Sequence, residues 1–289
     1  MNPAGIRHLH LLERHCLEAA RAYRWEAELF VAREGERSAE LHHDLASYAE
    51  GEGERLVFAV GGDGTVRACA RDLACTGVAL SIVPRGTANL FAKALGLPVE
   101  LGGALRTGFT GRERLVDLAW AEGNPFVAMA GIGLDAAVVE ATPRLLKDHL
   151  GWFAYALAGA THLAAPAHRV RIRLDSGETL ERQARAVVIG NVGTLPGGFT
   201  LLADARVDDG LLDVGVLEPR GLLGWASVAR LAVAGADVPG HFEHFRAAQV
   251  HVEADSELPR ELDGDLLPRA KSLSAEIGHE ALLVRVPAE

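Results

Sequence analysis

The chain has 289 residues, of which 49% are hydrophobic and 24% are charged, as in a globular and not a disordered protein. Its formal net charge of −10 argues against a dedicated nucleic-acid binder, which is usually basic. Three cysteines exclude a disulfide framework, and no apolar stretch reaches the ~20 residues of a membrane span, so we expect a cytoplasmic protein.

The first third of the chain alternates helix and strand patterns. Helical spacing of apolar residues predicts helices, and alternating or continuous apolar runs predict strands. The predicted elements are a helix over residues 6–23, a strand over 25–32, a helix over 36–50, a strand over 56–60, a helix over 66–74 and a strand over 78–83. The order strand, helix, strand with short turns predicts a parallel sheet with right-handed crossovers.

The pattern changes after Pro98. Short strand-like runs separated by Gly, Pro, Asn and Asp become dominant, and two longer helical stretches interrupt them at residues 135–165 and 222–236. Strands at this spacing predict an antiparallel sandwich or barrel. We therefore expect an α/β domain over residues 1–110 and a β domain over residues 111–289.

A glycine-rich loop, GGDGT at residues 61–65, lies between a predicted strand and a predicted helix. Glycine lets the backbone approach a ligand closely, and the N–H groups of such a loop and helix start suit a phosphate. Asp63 would be unfavourable beside phosphate unless it handles a metal ion, a water or a hydroxyl group. The candidate phosphate-binding residues are Gly61, Gly62, Asp63, Gly64 and Thr65.

A second turn, PRGTAN at residues 84–89, follows the next predicted strand. Turns at the carboxyl ends of neighbouring parallel strands face the same crevice, where ligands bind in α/β sheets. Gly86, Thr87 and Asn89 are therefore candidate nucleotide-binding residues. Taken alone, the same pattern also fits a helix N-cap at Thr87.

The segment GIGLDA at residues 131–136 fits the G-x-G-x-x-G/A dinucleotide pattern. It lies in the strand-rich half, outside a β-α-β unit, and no clear acidic residue ends a strand ~20 residues further on. A dinucleotide site is therefore not expected there.

Two acidic turns complete the set of motifs. DDGLLD at residues 208–213 groups three carboxylates around a glycine, which suits a hard cation, although a solvated Asp-Gly turn explains the pattern equally well. DGD at residues 263–265 has the composition of an Asp-Gly hairpin, and turn statistics alone favour a structural role.

Together these motifs resemble the diacylglycerol kinase-like lipid kinases, and above all the soluble bacterial members. The combination of GGDGT with the following GTAN is the specific part of the resemblance. The other matching pieces span almost the whole chain: NPAG at residues 2–5, GIGLDA, DDGLLDV at 208–214 and LDGD at 262–265.

The resemblance implies a Rossmann-like nucleotide domain, a β-sandwich-like second domain and an active site between them. It implies that GGDGT binds the phosphates of ATP, with Asp63 among the residues of the reaction and Thr87 in the second nucleotide loop. An acid of the DGD turn would be the general base; it is either Asp263 or Asp265, and the first is slightly favoured as the unaltered member of the usual DGE. A structural Mg²⁺ would be held by Asp209, the Leu211 carbonyl and a neighbouring side chain such as Asp208.

The activity implied is the phosphorylation of a hydroxyl group on a diacylglycerol-like or long-chain-base-like lipid, with ATP and Mg²⁺. Peripheral contact with the inner membrane face is expected, and a homodimer is left open. Residues 151–165 form a candidate wall for the lipid chain, although a core helix explains this apolar run better. Two alternatives stay open: an NAD kinase-like enzyme, and a nucleotide-binding regulatory protein that has lost catalysis.

The chain departs from the family pattern at four places. Leu90 stands where an aspartate is frequent, Ala32 stands where a threonine is common, and DGD replaces DGE. The NPAG motif normally follows the first strand of the sheet, so we expect an apolar strand of about five or six residues upstream of Asn2.

Overall fold

The computed structural model describes residues 9–30, 45, 47–51, 53–133, 166–195, 198–234 and 240–288. The NPAG motif, residues 134–136 of GIGLDA and the candidate lipid wall at 151–165 lie outside the described residues. The chain divides into two compact units, one formed by residues 1–116 with 280–289 and the other by residues 117–279.

The first unit contains the predicted β-α-β arrangement. Its described elements are α1 (Leu9–Ala22), β1 (Leu56–Gly61), α2 (Asp63–Leu73), β2 (Ala79–Pro84), α3 (Leu90–Ala94) and α4 (Leu101–Thr110). Strands β1 and β2 pair in parallel, from Leu56 opposite Ala79 to Gly61 opposite Pro84. Every residue of β2 is buried, as expected for a parallel strand covered on both faces.

The prediction of a strand over residues 25–32 is wrong for residues 25–30, which form no strand. Trp25 instead follows the end of α1, where its N–H donates to the carbonyl of Ala20 at 2.9 Å. The rings of Trp25 and Tyr23 both pack against Phe109, with centroids 6.4 and 4.8 Å away. The apolar residues at the start of this segment are thus explained by aromatic packing and not by a ladder of backbone hydrogen bonds.

The second unit is antiparallel. Strands β3 (Arg112–Ala121) and β12 (Asp265–Val286) contribute one end to each unit. Between them lie β4 (Asn124–Phe126), β5 (Met129–Gly133), β6 (His168–Leu174), β7 (Thr179–Ala184), β8 (Ala186–Gly190), β9 (Leu212–Leu217), α5 (Gly221–Ala234), β10 (Phe242–Ala247) and β11 (Gln249–Leu262). The strand order is β12-β11-β5-β8-β9-β10, with β6 also pairing with β11 and β7 with β6.

Buried and exposed residues alternate along these strands, and the buried residues form the core of the second unit. In β6 the buried residues are Val170, Ile172 and Leu174, while the residues between them are exposed. The buried residues pack with Val250 and Val252 of β11 in one cluster. This pattern confirms the expected β-sandwich-like second domain, and α5 confirms the helix expected near residues 222–236.

The segment 131–133 of GIGLDA is part of β5 and not a phosphate-binding loop. Gly131 pairs with Val188 of β8 on one side and Glu261 of β11 on the other. At Gly133 the backbone has φ +103°, and a Cβ there would lie 3.3 Å from the Cα of Ala186. Gly133 therefore allows the close approach of these two strands, β5 and β8.

Residues 280–289 belong to the first unit, an arrangement that a division at residue 110 does not include. The N–H of Cys75 donates to the carbonyl of Ala281 at 2.7 Å, and Val284 pairs in parallel with Leu80 of β2. The end of β12 therefore extends the parallel sheet of the first unit. Among the described residues, no helix is both long and apolar enough to cross a bilayer.

Candidate active site

The GGDGT loop joins a buried strand directly to a helix. Strand β1 ends at Gly61 and α2 begins at Asp63, with Gly62 in an extended conformation between them. Gly62, the residue before α2, has no side chain to cap the helix, and Gly64 is exposed. The positive end of the helix dipole is therefore directed at a loop of small residues, which is the arrangement that binds phosphate groups.

The two glycine loops lie side by side, as the sequence predicts. The N–H of Arg85 donates to the carbonyl of Gly61 at 2.8 Å. A Cβ on Gly62 would lie 3.0 Å from the Cα of Gly86, and a Cβ on Gly86 would collide with the Cα of Gly62. The two backbones are in contact, so a side chain at either position would push the loops apart.

Asp63 links the two loops through its carboxylate. Its Oδ2 accepts the N–H of Leu90 at 3.1 Å, and its Oδ1 accepts the N–H of Phe91 at 3.2 Å. Both donors lie in the first turn of α3, where a carboxylate satisfies otherwise unpaired N–H groups. Burial raises the pKa of Asp63, and the two N–H bonds oppose that rise. Asp63 thus has a structural role that the sequence motif does not reveal.

Asn89 shapes the second loop from within. Its backbone is left-handed, with φ 47°. Its Oδ1 accepts the N–H of Gly86 at 2.9 Å, and its Nδ2 donates to the carbonyl of Gly86 at 2.7 Å. The amide is therefore engaged in the loop, whereas Thr87 is exposed at its surface. Of the polar side chains proposed for this loop, Thr87 is the better placed to meet a ligand.

The DGD turn is a β-hairpin, as its composition indicates. Leu262 pairs with Asp265 at the ends of β11 and β12. The two residues between them, Asp263 and Gly264, have φ values of 48° and 81°. Positive φ at both central positions is the signature of the type I′ turn that matches strand twist.

The two aspartates of this hairpin have different surroundings. The carboxylate of Asp263 accepts N–H groups from three successive residues: Val127 at 3.0 Å, Ala128 at 2.8 Å and Met129 at 3.1 Å. Its own N–H donates to the carbonyl of Met129 at 2.8 Å. Protonating this carboxylate would weaken those bonds. Asp265 is exposed and Asp263 half-buried, so the second aspartate is the more accessible of the two.

The acidic turn at residues 208–213 is held by basic side chains. Asp209 contacts the guanidinium of Arg246 through Oδ2 and accepts the N–H of Leu211 at 3.2 Å through Oδ1. The carboxylate of Asp208 lies 3.6 Å from Nε of Arg206. Both acids that the resemblance assigns to a metal ion are thus already paired with positive charge.

As arranged, this turn does not fit a Mg²⁺ ion. Hard cations need several oxygen ligands pointing to one centre, and Arg246 occupies one oxygen of Asp209. Across the described ranges, no three Asp, Glu, His or Cys side chains come together in a way that could hold a metal. The structure therefore does not support the prediction of Mg²⁺ at Asp208, Asp209 and Leu211.

Asp117 and His279 also hold the acidic turn, and the sequence analysis did not single them out. Oδ2 of Asp117 accepts the N–H of Gly210 at 2.7 Å, and its Oδ1 lies 2.8 Å from Nδ1 of His279. Asp117 is fully buried. The sequence does show Asp117 inside the apolar run of residues 115–121, and a carboxylate buried within such a run needs hydrogen-bond partners.

Comparison with known protein families gives two matches that follow each other along the chain. Residues 2–121 match the diacylglycerol kinase catalytic domain. Residues 128–285 match the YegS C-terminal NAD kinase beta sandwich-like domain. Both the glycine loops and the acidic turns fall within these matched regions.

Curated relatives include several proteins described as probable lipid kinases. The YegS-like protein of Pseudomonas aeruginosa is 36% identical over 240 residues, covering 82% of this chain and 78% of that protein. The YegS-like protein of Pseudomonas fluorescens is 32% identical over 258 residues, covering 88% and 84%. A protein from Synechocystis is 39% identical over 170 residues, which is 58% of this chain and 39% of that longer protein.

Solved structures share the fold. A candidate diacylglycerol kinase of Bacillus anthracis superposes with a TM-score of 0.80 and 25% identity, covering 98% of this chain and 93% of its own. Yeast NADH kinase in complex with NADH superposes with a TM-score of 0.53 and 10% identity, covering 100% and 82%. The second likeness shows a common fold and nothing about the acceptor.

Proposed function

Because the chain belongs to the YegS-like family of diacylglycerol kinase-like lipid kinases, we propose that it transfers the γ-phosphoryl group of ATP to a lipid hydroxyl group. The observation that carries the proposal is the contact between the two glycine loops at the carboxyl ends of β1 and β2. Backbone contact between Gly62 and Gly86 leaves a surface without side chains, over which the phosphates of a nucleotide can lie close to N–H groups.

The nucleotide is bound by the backbone more than by side chains. The N-terminus of α2 and the exposed Gly64 face the phosphates, and the exposed hydroxyl of Thr87 supplies a neutral donor. Mg²⁺ enters as part of the Mg·ATP substrate, where it neutralises the phosphate oxygens. Asp63 contributes by joining α2 to α3, which keeps the two loops at a fixed distance.

Asp265 is the proposed general base. In the transfer, the acceptor oxygen forms a new bond to the γ-phosphorus, the bond from that phosphorus to the bridging oxygen of ADP breaks, and the hydroxyl proton passes to a carboxylate. The Asp263 carboxylate already accepts three N–H groups. Exposed Asp265 is therefore the better acceptor of the proton, in contrast to the slight preference for Asp263 from the motif.

A diacylglycerol-like or long-chain-base-like lipid is the proposed acceptor. Family membership is what supports this class. Peripheral contact with the inner membrane face, a cytoplasmic location and a homodimer all stay predictions.

The test is a transfer assay with purified protein and ATP labelled at the γ-phosphate. The acceptors offered in parallel are diacylglycerol and a long-chain base in mixed micelles, and NAD in solution. We expect a labelled lipid and no labelled NAD. Labelled NAD would favour the NAD kinase-like alternative, and ATP binding without any transfer would favour the regulatory alternative.

A matched pair of variants assigns any transfer to the proposed site. Asp265→Asn removes the proton acceptor at nearly constant size, and Asp175→Asn makes the same change at an exposed acid of the β6–β7 turn. Transfer should be lost in the first variant and kept in the second. Equal activity in both would show that the acid turn is not the site of proton transfer.

A further inference from the structure

The hairpin that carries Asp265 contains a buried carboxylate that the proposed chemistry does not use. Glu261 lies on β11 and is only 3% exposed. Its Oε2 accepts the N–H of Gly264 at 2.6 Å. A glutamate at this depth is rare unless it is hydrogen-bonded, and a bond from an N–H group to a carboxylate is stronger than one between neutral groups.

The position of Glu261 in the sheet explains how it reaches the turn. It pairs with Leu266 of β12 and with Gly131 of β5. Gly131, its partner on β5, has no side chain that could compete with the Glu261 carboxylate on that face of the sheet. Glu261 reaches the turn from its own strand, three residues before Gly264.

Two carboxylates therefore hold this turn from different directions. Asp263 binds the N–H groups of residues 127–129, which ties the turn to the first residue of β5 and the two residues before it. Glu261 binds Gly264, the residue that directly precedes Asp265. The left-handed backbone of Asp263, at φ 48°, is the one that the first central position of a type I′ turn requires and that aspartate tolerates.

We propose that Glu261 is a positioning residue for the phosphoryl transfer. By accepting the N–H of Gly264 it holds the turn in one conformation, and so fixes the direction in which Asp265 meets the acceptor hydroxyl. The inference rests on the proposed function, since it takes Asp265 as the base. Displacement of a reacting group by about 1 Å can lower a rate by about 10²-fold.

Substitutions at Glu261 separate the hydrogen bond from the volume that the side chain fills. Glu261→Gln keeps a carbonyl oxygen that can accept the Gly264 N–H. Glu261→Leu keeps most of the volume but offers no acceptor. Glu253→Leu is the matched control, because Glu253 lies on the same strand and its half-exposed carboxylate pairs loosely with Arg173 at 3.8 Å.

In steady-state kinetics, Glu261→Leu should lower kcat by roughly 10-fold to 100-fold. The KM for ATP should stay within about twofold of the wild-type value, since the two glycine loops at residues 61–65 and 84–89 do not include Glu261 or its hairpin. Glu261→Gln should recover most of kcat, and Glu253→Leu should match the wild type. Wild-type kcat in Glu261→Leu, or an equal loss in the Gln variant, would overturn the proposal.

Hydrogen exchange at the Gly264 amide tests the same link without any lipid. The Gly264 amide should be protected from exchange in the wild type and in Glu261→Gln, and it should lose that protection in Glu261→Leu. Protection retained in Glu261→Leu would overturn the inference.

If Glu261→Leu does not fold, Glu261→Asp takes its place, because the shorter aspartate side chain cannot reach the Gly264 N–H. Wild-type protection of the Gly264 amide in Glu261→Asp would likewise overturn the inference. A wild-type protein that phosphorylates no lipid refutes the proposed function and, with it, the role of Glu261 in positioning a base. The exchange result distinguishes this outcome, because it reports the Glu261–Gly264 bond whether or not any lipid is phosphorylated.

Discussion

The glycine loops and the acid hairpin position their reactive groups in opposite ways. The loops at residues 61–65 and 84–89 come into contact because Gly62 and Gly86 have no side chains. The hairpin at residues 261–265 is held by buried or half-buried carboxylates. The first arrangement presents backbone N–H groups, which bind anions, and the second presents an exposed carboxylate, which can take up a proton.

The two regions nevertheless share one device. In each, an aspartate of the motif accepts backbone N–H groups from a distant segment: Asp63 from α3, and Asp263 from residues 127–129 at the start of β5. The acid that is most prominent in the motif is thus a structural anchor as well as a candidate for chemistry. The predictions below test whether anchor and reactive group are different residues in each region.

The largest expected effect separates the two aspartates of the hairpin. Asp265→Asn should lower turnover by about 10²-fold or more, the usual contribution of a positioned general base, with an almost unchanged melting temperature. Asp263→Asn should lower the free energy of unfolding by about 2–3 kcal/mol, since it disrupts hydrogen bonds to a charged group. Calorimetry and the transfer assay measure the two effects. Full stability with lost turnover in Asp263→Asn would reverse the assignment.

A smaller effect is expected where the glycine loops touch. Gly86→Ala places a Cβ against the backbone of Gly62 and should weaken ATP binding about tenfold, on the scale of a misplaced polar site. Gly102→Ala in α4 is the control, because its Cβ would meet only the end of the Glu100 side chain at 3.3 Å. Isothermal titration measures both variants. Unchanged affinity in Gly86→Ala would show that loop contact does not shape the nucleotide site.

Asp63 gives a moderate and pH-dependent effect. Asp63→Ala should cost about 1 kcal/mol of stability through the lost cap on α3, as well as activity. Because the folded-state pKa of Asp63 is raised, ionisation costs folding free energy. The stability of the wild type relative to Asp63→Asn should therefore rise as pH falls through the raised pKa. This rise in relative stability should be complete once the pH is below 3.8, the ordinary pKa of an aspartate.

Denaturant unfolding across this pH range measures the difference for Asp63. A wild-type advantage that shrinks towards acid pH would contradict the raised pKa. Lys93→Met is a useful companion variant, because the positive charge of Lys93 lowers the pKa of Asp63. Removing that charge should raise the pKa of Asp63 slightly further.

The smallest expected effect concerns metal removal. Without nucleotide, adding Mg²⁺ or a chelator should shift the melting temperature by less than about 1 °C, because a ligand that does not bind cannot stabilise. Arg246 already pairs with Asp209. Arg246→Gln should make the acidic turn more responsive to Mg²⁺. A shift of several degrees in the wild type would show a metal site that the arrangement of side chains does not present.

The sequence predicts the local parts of both regions well. Strand β1, the loop, α2 and β2 follow from short apolar runs and glycines, and the hairpin follows from an Asp-Gly pair. The partners of the two anchoring aspartates do not follow, because they are remote. Asp63 binds residues 27 and 28 positions away, and Asp263 binds residues 134 to 136 positions away.

Other outcomes depend on tertiary packing in the same way. The acidic motif at residues 208–213 predicts a Mg²⁺ site, but it cannot show that Arg246 on β10 reaches Asp209. Likewise, the alternation of apolar and polar residues that begins at Trp25 predicts a strand, but it cannot show that the Trp25 ring packs against Phe109 of α4. Residue type and spacing determine which elements form, whereas side chains from distant elements decide what each polar group does.

The return of β12 to the first unit has a consequence for the order of events during synthesis. Leu80 of β2 pairs with Val284, so this part of the parallel sheet forms only after β12 and all the residues between the two strands have left the ribosome. Pairings between segments so far apart along the chain form slowly, because the entropy of closing the long loop is lost before the stabilising contacts form. The glycine loops are synthesised well before β12, yet the sheet that carries them is completed only when β12 pairs with β2.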